Sequence, residues 1–116
     1  MAEGFRDLIV WQRAVQMSVA IYQLTSDFPR EEMYGLTSQL RRAGVSVASN
    51  IAEDWGRQSE GEYKHFLGMA RGSNLEIQTQ ITIAAELGFT DDTKRKSVEG
   101  LSNEVSKMLV ALMRTT

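Results

Sequence analysis

One histidine, His65, and no cysteine stand in the whole chain, so the side chains that most often carry nucleophilic, acid–base and metal chemistry are nearly missing. A thiolate nucleophile, a Cys-ligated zinc and a multi-histidine metal centre are excluded, and any Ser-His-Asp relay would hang on His65 alone. Gly44-Val45-Ser46-Val47-Ala48 has the letters of a nucleophile elbow, but the helical spacing around it removes the strand-to-helix turn that exposes such a serine. Gly68-Met69-Ala70-Arg71-Gly72 lacks the preceding strand and the spacing of a phosphate loop, and its glycines are expected to allow close helix packing. The acidic pairs Glu31/Glu32 and Asp91/Asp92 fall at helix beginnings, where the helix dipole accounts for them without catalysis. The expectation is a protein that is not an enzyme, with no cofactor, no metal site and no evident small-molecule substrate.

Charge is the chemistry that remains. Between residues 41 and 72 the five basic side chains Arg41, Arg42, Arg57, Lys64 and Arg71 face four acids, Glu53, Asp54, Glu60 and Glu62, a net of +1. Over the full length, 13 Lys and Arg stand against 15 Asp and Glu. That is a weak electrostatic footprint for a phosphate backbone. The five basic residues are nucleic-acid contacts only if an oligomer pools them on one surface.

At 116 residues the chain forms one domain, residues 1–116, since a compact unit takes about 100 to 200 residues. No apolar run approaches the roughly 20 residues of a membrane span, and the start Met1-Ala2-Glu3-Gly4-Phe5-Arg6-Asp7 lacks a signal-peptide layout. A cytoplasmic protein with no membrane partner is expected.

Apolar residues recur at steps of three and four, with no period-two stretch, so the chain reads as all-α. Helix one is expected from Asp7 to Ser26, stopped by Asp27-Phe28-Pro29. A short turn at Arg30-Glu31-Glu32 follows. Helix two is expected from Leu36 to Asp54, with Gly56 as a left-handed terminator. Ser59-Glu60-Gly61-Glu62 has the form of a capping box for helix three, which should run to Leu87 and stop at Gly88. Thr90-Asp91-Asp92 opens helix four, which continues to Arg114. Long helices with short loops make an antiparallel up-and-down four-helix bundle.

The faces differ in character. Helix four has one stripe, Val98, Leu101, Val105, Met108, Leu109 and Leu112. Helix three has Tyr63, Phe66, Leu67, Ala70, Ile77, Ile81 and Ala84, interrupted by Asn74, whose amide must find a partner or cost about 1 to 3 kcal/mol. Helix two sets Leu36, Leu40, Ala43, Val47, Ile51 and Trp55 against a polar side of Arg42, Ser46, Ser49, Asn50 and Glu53, expected as a solvated face or a lined groove. Asn50, Glu53 and Asn74 are expected to be structural polar groups. Helix one carries two apolar stripes: Leu8, Trp11, Val15, Val19 and Tyr22, and beside it Val10, Ala14, Met17, Ile21 and Leu24. A bundle needs one of them, so the second stripe, Val10 to Leu24, is expected to be a subunit interface, and the chain a homo-oligomer.

Several strings carry a resemblance. Phe5-Arg6-Asp7-Leu8 with Val10-Trp11-Gln12, then Tyr34-Gly35-Leu36-Thr37-Ser38-Gln39-Leu40-Arg41-Arg42-Ala43, then Ser49-Asn50-Ile51-Ala52-Glu53 with Gly56-Arg57, and Phe66-Leu67, resemble the bacterial four-helix-bundle family, also called the 23S rRNA intervening-sequence protein family. The resemblance implies a four-helix bundle that assembles as a barrel-shaped homopentamer around a central channel. It brings two contexts: genes inside intervening sequences of ribosomal RNA, and a relative that serves diversity-generating retroelements by binding the reverse transcriptase and nucleic acid. That relative is markedly basic, whereas this chain is net −2. Asp54 stands where the family string usually has glycine, which predicts a strained or shifted end of helix two. The reading reached is a non-enzymatic homo-oligomeric scaffold, with a nucleic-acid-binding accessory as the alternative.

Overall fold

A computed structural model describes residues 4–56 and 60–115, with side chains in the second segment from Lys64 onward. Four helices account for most of them: α1 (Ile9–Thr25), α2 (Leu36–Trp55), α3 (Glu60–Glu86) and α4 (Asp92–Arg114), with single 3-10 turns at Phe5–Asp7 and Arg30–Glu32. Each helix packs on the next, and α4 closes back on α1, with no diagonal pair packed together among the described residues; the result is the expected up-and-down bundle. Its long axis of 43 Å matches the roughly 40 Å of a 27-residue helix at ~1.5 Å per residue.

Local chemistry explains most of the boundaries. α1 starts after the 3-10 turn, whose Arg6 carbonyl accepts from Gln12 Nε2 at 2.9 Å. It ends where Thr25 Oγ1 donates back to the Ile21 carbonyl at 2.7 Å, just before Phe28 and Pro29. Glu32 of the second turn accepts from the Leu36 N–H at 3.1 Å, so an acid from outside the helix satisfies one of the first orphan amides of α2. At the end of α3, Gly88 takes φ +76, Phe89 N–H donates to Ala84 O at 2.9 Å and Gly88 N–H to Ala85 O at 3.0 Å. This is a Schellman stop, and only glycine takes that φ without strain. Asp91 caps α4 by accepting from the Lys94 N–H at 2.9 Å. Lys94 also pairs with Asp27, which raises the lysine pKa above its ordinary value and ties the start of α4 to the end of α1.

Six expectations are corrected. The stripe Val10, Ala14, Met17, Ile21 and Leu24, assigned to subunit contacts, is 0–4% exposed and forms the centre of the chain's own core with Leu40, Val47, Leu67, Ile77, Ile81 and Leu109. In the other stripe Val19 and Tyr22 are about half exposed, while Leu8 and Trp11 pack partly buried against the edge of the core; a fully buried indole N–H or phenol O–H would need a partner that an aliphatic core lacks. Gly56 has φ −81 and is right-handed, and α2 runs through Asp54 to Trp55. No described non-glycine residue has positive φ, so Asp54 in place of the family's glycine brings no backbone strain. Trp55, placed on the buried side of helix two, is 42% exposed. The polar side of helix two is only partly a solvated face, because Asn50 is buried and Ser46 meets Ser73 of α3. Gly68 and Gly72 have nothing within 4 Å of where a Cβ would stand, so neither serves close packing inside the bundle. Gly44 does: its Cβ position lies 3.0 Å from Ile21 Cδ1 and 3.4 Å from Ser18 Cα. The proposed capping serine, Ser59, lies outside the described residues, as does the side chain of Tyr63.

Candidate functional site

Two features of the α1/α2 side stand apart from an ordinary solvated surface. The first is an apolar groove. Trp11, Val15, Ser18 and Val19 of α1 and Val45, Ala48, Ser49 and Ala52 of α2 line a space of about 290 Å³. Val19 and Val45 are about half exposed. Tyr22 extends the groove toward the end of α1, and none of these residues is charged. The only charged side chain of α1, Arg13, turns to the other flank, where Nε donates to Glu104 of α4 at 2.9 Å.

The second feature is a basic cleft at one end of that groove. Tyr22, Met33, Thr37, Ser38, Arg41, Arg42, Val45 and Ser46 enclose about 530 Å³, open to solvent. A smaller cleft shares Met33, Thr37 and Arg41 and adds Arg30. Arg41 is held in place: Nε donates to Thr25 Oγ1 at 2.9 Å, and the guanidinium lies 4.5 Å from the Tyr22 ring centroid. Stacking and the Thr25 bond fix the planar fork before any ligand arrives.

The five basic residues nominated from sequence do not converge. Arg41 and Arg42 lie at the cleft, Lys64 and Arg71 are exposed on α3, and Arg57 is outside the described residues. Ser46 of α2 bonds Ser73 of α3 at 2.9 Å and fixes the register. That register sets Lys64 and Arg42 roughly 20 Å apart along the bundle axis at ~1.5 Å per residue. Sequence reasoning missed Arg30, because Glu31 and Glu32 cancel it in a linear count although neither lines the clefts.

Of the structural polar residues, Asn74 is the most deeply set. Its Nδ2 donates to the Ser102 carbonyl at 3.0 Å, and Ser102 Oγ donates to Asn74 Oδ1 at 2.8 Å. Gln78 Nε2 donates to the same Ser102 Oγ at 2.9 Å. Asn50 donates to the Ser46 carbonyl and hydroxyl at 2.8 and 3.0 Å. Glu53 is exposed at the far end of the groove. His65 is exposed and meets Phe66 edge-on at 5.3 Å. Among those residues, no three His, Asp or Glu side chains gather as a metal site requires. No helix among them is long and apolar enough to cross a membrane.

A family model described as 23S rRNA-intervening sequence protein matches residues 6–111. Among solved structures, a protein of unknown function from the S23 ribosomal protein family of Bacteroides thetaiotaomicron VPI-5482 superposes with a TM-score of 0.81. Its sequence identity is 19%, over 90% of this chain and 98% of its own. At that identity the likeness carries the fold alone. No curated protein matches the chain.

Proposed function

This chain belongs to the 23S rRNA-intervening sequence protein family, and from that membership we propose that it acts as a non-enzymatic, homo-oligomeric helical scaffold. The observation that supports this reading is the α1/α2 groove. Trp11, Val15, Val19, Tyr22 and Val45 present aromatic and branched apolar surface, free of charge, outside the fully buried core, with Trp11 packed partly against it. Depletion of charge and enrichment of Trp and Tyr are the marks of an interface centre. A heterologous contact that closes on itself makes a ring, and the family resemblance puts the copy number at five.

The test is the mass in solution. Light scattering at micromolar concentration should give about 65 kDa, five times the 13.0 kDa chain. Val19→Glu should give the monomer mass with unchanged helical content, because Val19 is exposed in the single chain and its replacement leaves the core intact. A wild-type monomer, or a V19E variant that keeps the oligomer mass, would overturn the assignment.

A further inference from the structure

We infer that the basic cleft between α1, the Arg30–Glu32 turn and α2 is a binding site for a small organic phosphate, a phosphate monoester carried on an apolar body. The starting observation is a charge imbalance. The chain is net negative, yet Arg30, Arg41 and Arg42 gather at two adjoining clefts whose linings contain no acid. The acids nearest in sequence are turned away from it. Asp27 is paired with Lys94, Glu32 accepts from the Leu36 N–H, and Glu31 is exposed outside both linings. No described carboxylate forms an ion pair with any of the three arginines, whereas Arg13 has one such pair and Arg95 two.

Like charges brought together without a counter-ion repel, so their arrangement is stabilised when a multiply charged anion fills the space. The Nη groups of the preset Arg41 guanidinium, whose Nε is already bonded to Thr25, and the forked donors of the exposed Arg42 match phosphate oxygens. A phosphate monoester carries close to two charges at pH 7, which suits several arginines better than a single carboxylate does. Thr37 and Ser38 add hydroxyls to the wall, and neither makes a hydrogen bond to another described residue. Met33, Val45 and the Tyr22 ring supply an apolar side for the rest of the ligand. At about 530 Å³ the cleft falls within the size range of small-molecule sites. All of its residues come from one chain, but Tyr22 and Val45 also border the proposed subunit contact, so the V19E monomer is titrated beside the wild type, and binding by that monomer separates this site from the oligomeric reading.

Calorimetric titration of the full chain at low ionic strength tests it, with phenyl phosphate, benzoate and inorganic phosphate as probes. Phenyl phosphate should bind once per chain with a dissociation constant below about 1 mM, at least tenfold tighter than benzoate and several-fold tighter than inorganic phosphate. Arg42→Ala should weaken phenyl phosphate at least tenfold, and Arg41→Lys, which keeps the charge but loses the stacked fork, several-fold. Arg71→Ala, on the outer surface of α3, should change nothing. Circular dichroism establishes that each variant is folded, and Arg42 is exposed, so R42A is informative even if R41K unfolds. Absence of saturable phenyl phosphate binding, or equal binding to R42A, overturns the proposal. So does benzoate binding as tightly as phenyl phosphate. Binding of a 20-nucleotide RNA without binding of phenyl phosphate also overturns it, by assigning the arginines to a polyanion.

Discussion

Asn74 shows how one polar residue in an apolar stripe is satisfied. Its amide and the Ser102 hydroxyl exchange hydrogen bonds between α3 and α4 in a setting with almost no solvent access. Asn74→Ala should therefore destabilise the chain by about 1 to 3 kcal/mol, measured by urea unfolding, since Ser102 Oγ loses its acceptor. Ser102→Ala should fall in the same range by stranding Asn74 Oδ1. The double variant Asn74→Leu with Ser102→Ala should lose clearly less than the two single losses added, because removing both partners leaves no orphan. The need for a partner was legible in the sequence, because an amide sits in the middle of a helical stripe. Its identity was not, since Ser102 is a small residue that the helix-four pattern passes over. Arg30 was hidden in another way, by two neighbouring acids that folding turns to other tasks.

Helix ends were readable where a single residue type dictates backbone geometry. Pro29, Gly88 and Asp91 mark boundaries close to their expected places. Gly56 did not terminate α2 in the expected left-handed form, since glycine permits that conformation without requiring it. The glycines now sort by what surrounds them. Gly68→Ala and Gly72→Ala should each raise stability by about 0.5 to 1 kcal/mol, because both sit in open space within α3 and glycine is a poor helix former. Gly88→Ala should lower stability by about 1 to 2 kcal/mol, as a Cβ is strained at that φ. Thermal or urea unfolding of the three variants checks both signs. The choice between the two α1 stripes depended on tertiary packing. Both are apolar and lie side by side, and the one available signal was the polar tip of Trp11 and Tyr22.

For the whole molecule, the groove on α1 and α2 and the completeness of the internal core are linked. The core cluster is buried within the single chain, so assembly in the proposed scaffold would add stability to a fold whose interior is already formed. The midpoint of thermal unfolding should therefore rise with protein concentration in the wild type and become independent of it in V19E, as mass action requires of a folded oligomer. A constant wild-type midpoint across a hundredfold range of concentration would contradict the scaffold reading. The polar bonds between helices have a further consequence. Gln39 with Gln80, Ser46 with Ser73, and Ser102 with Asn74 and Gln78 key α3 to both neighbours at several heights. A piston-like slip of α3 by one helical turn, about 5.4 Å, would break these bonds together. The interior of the bundle is therefore geared against sliding of α3.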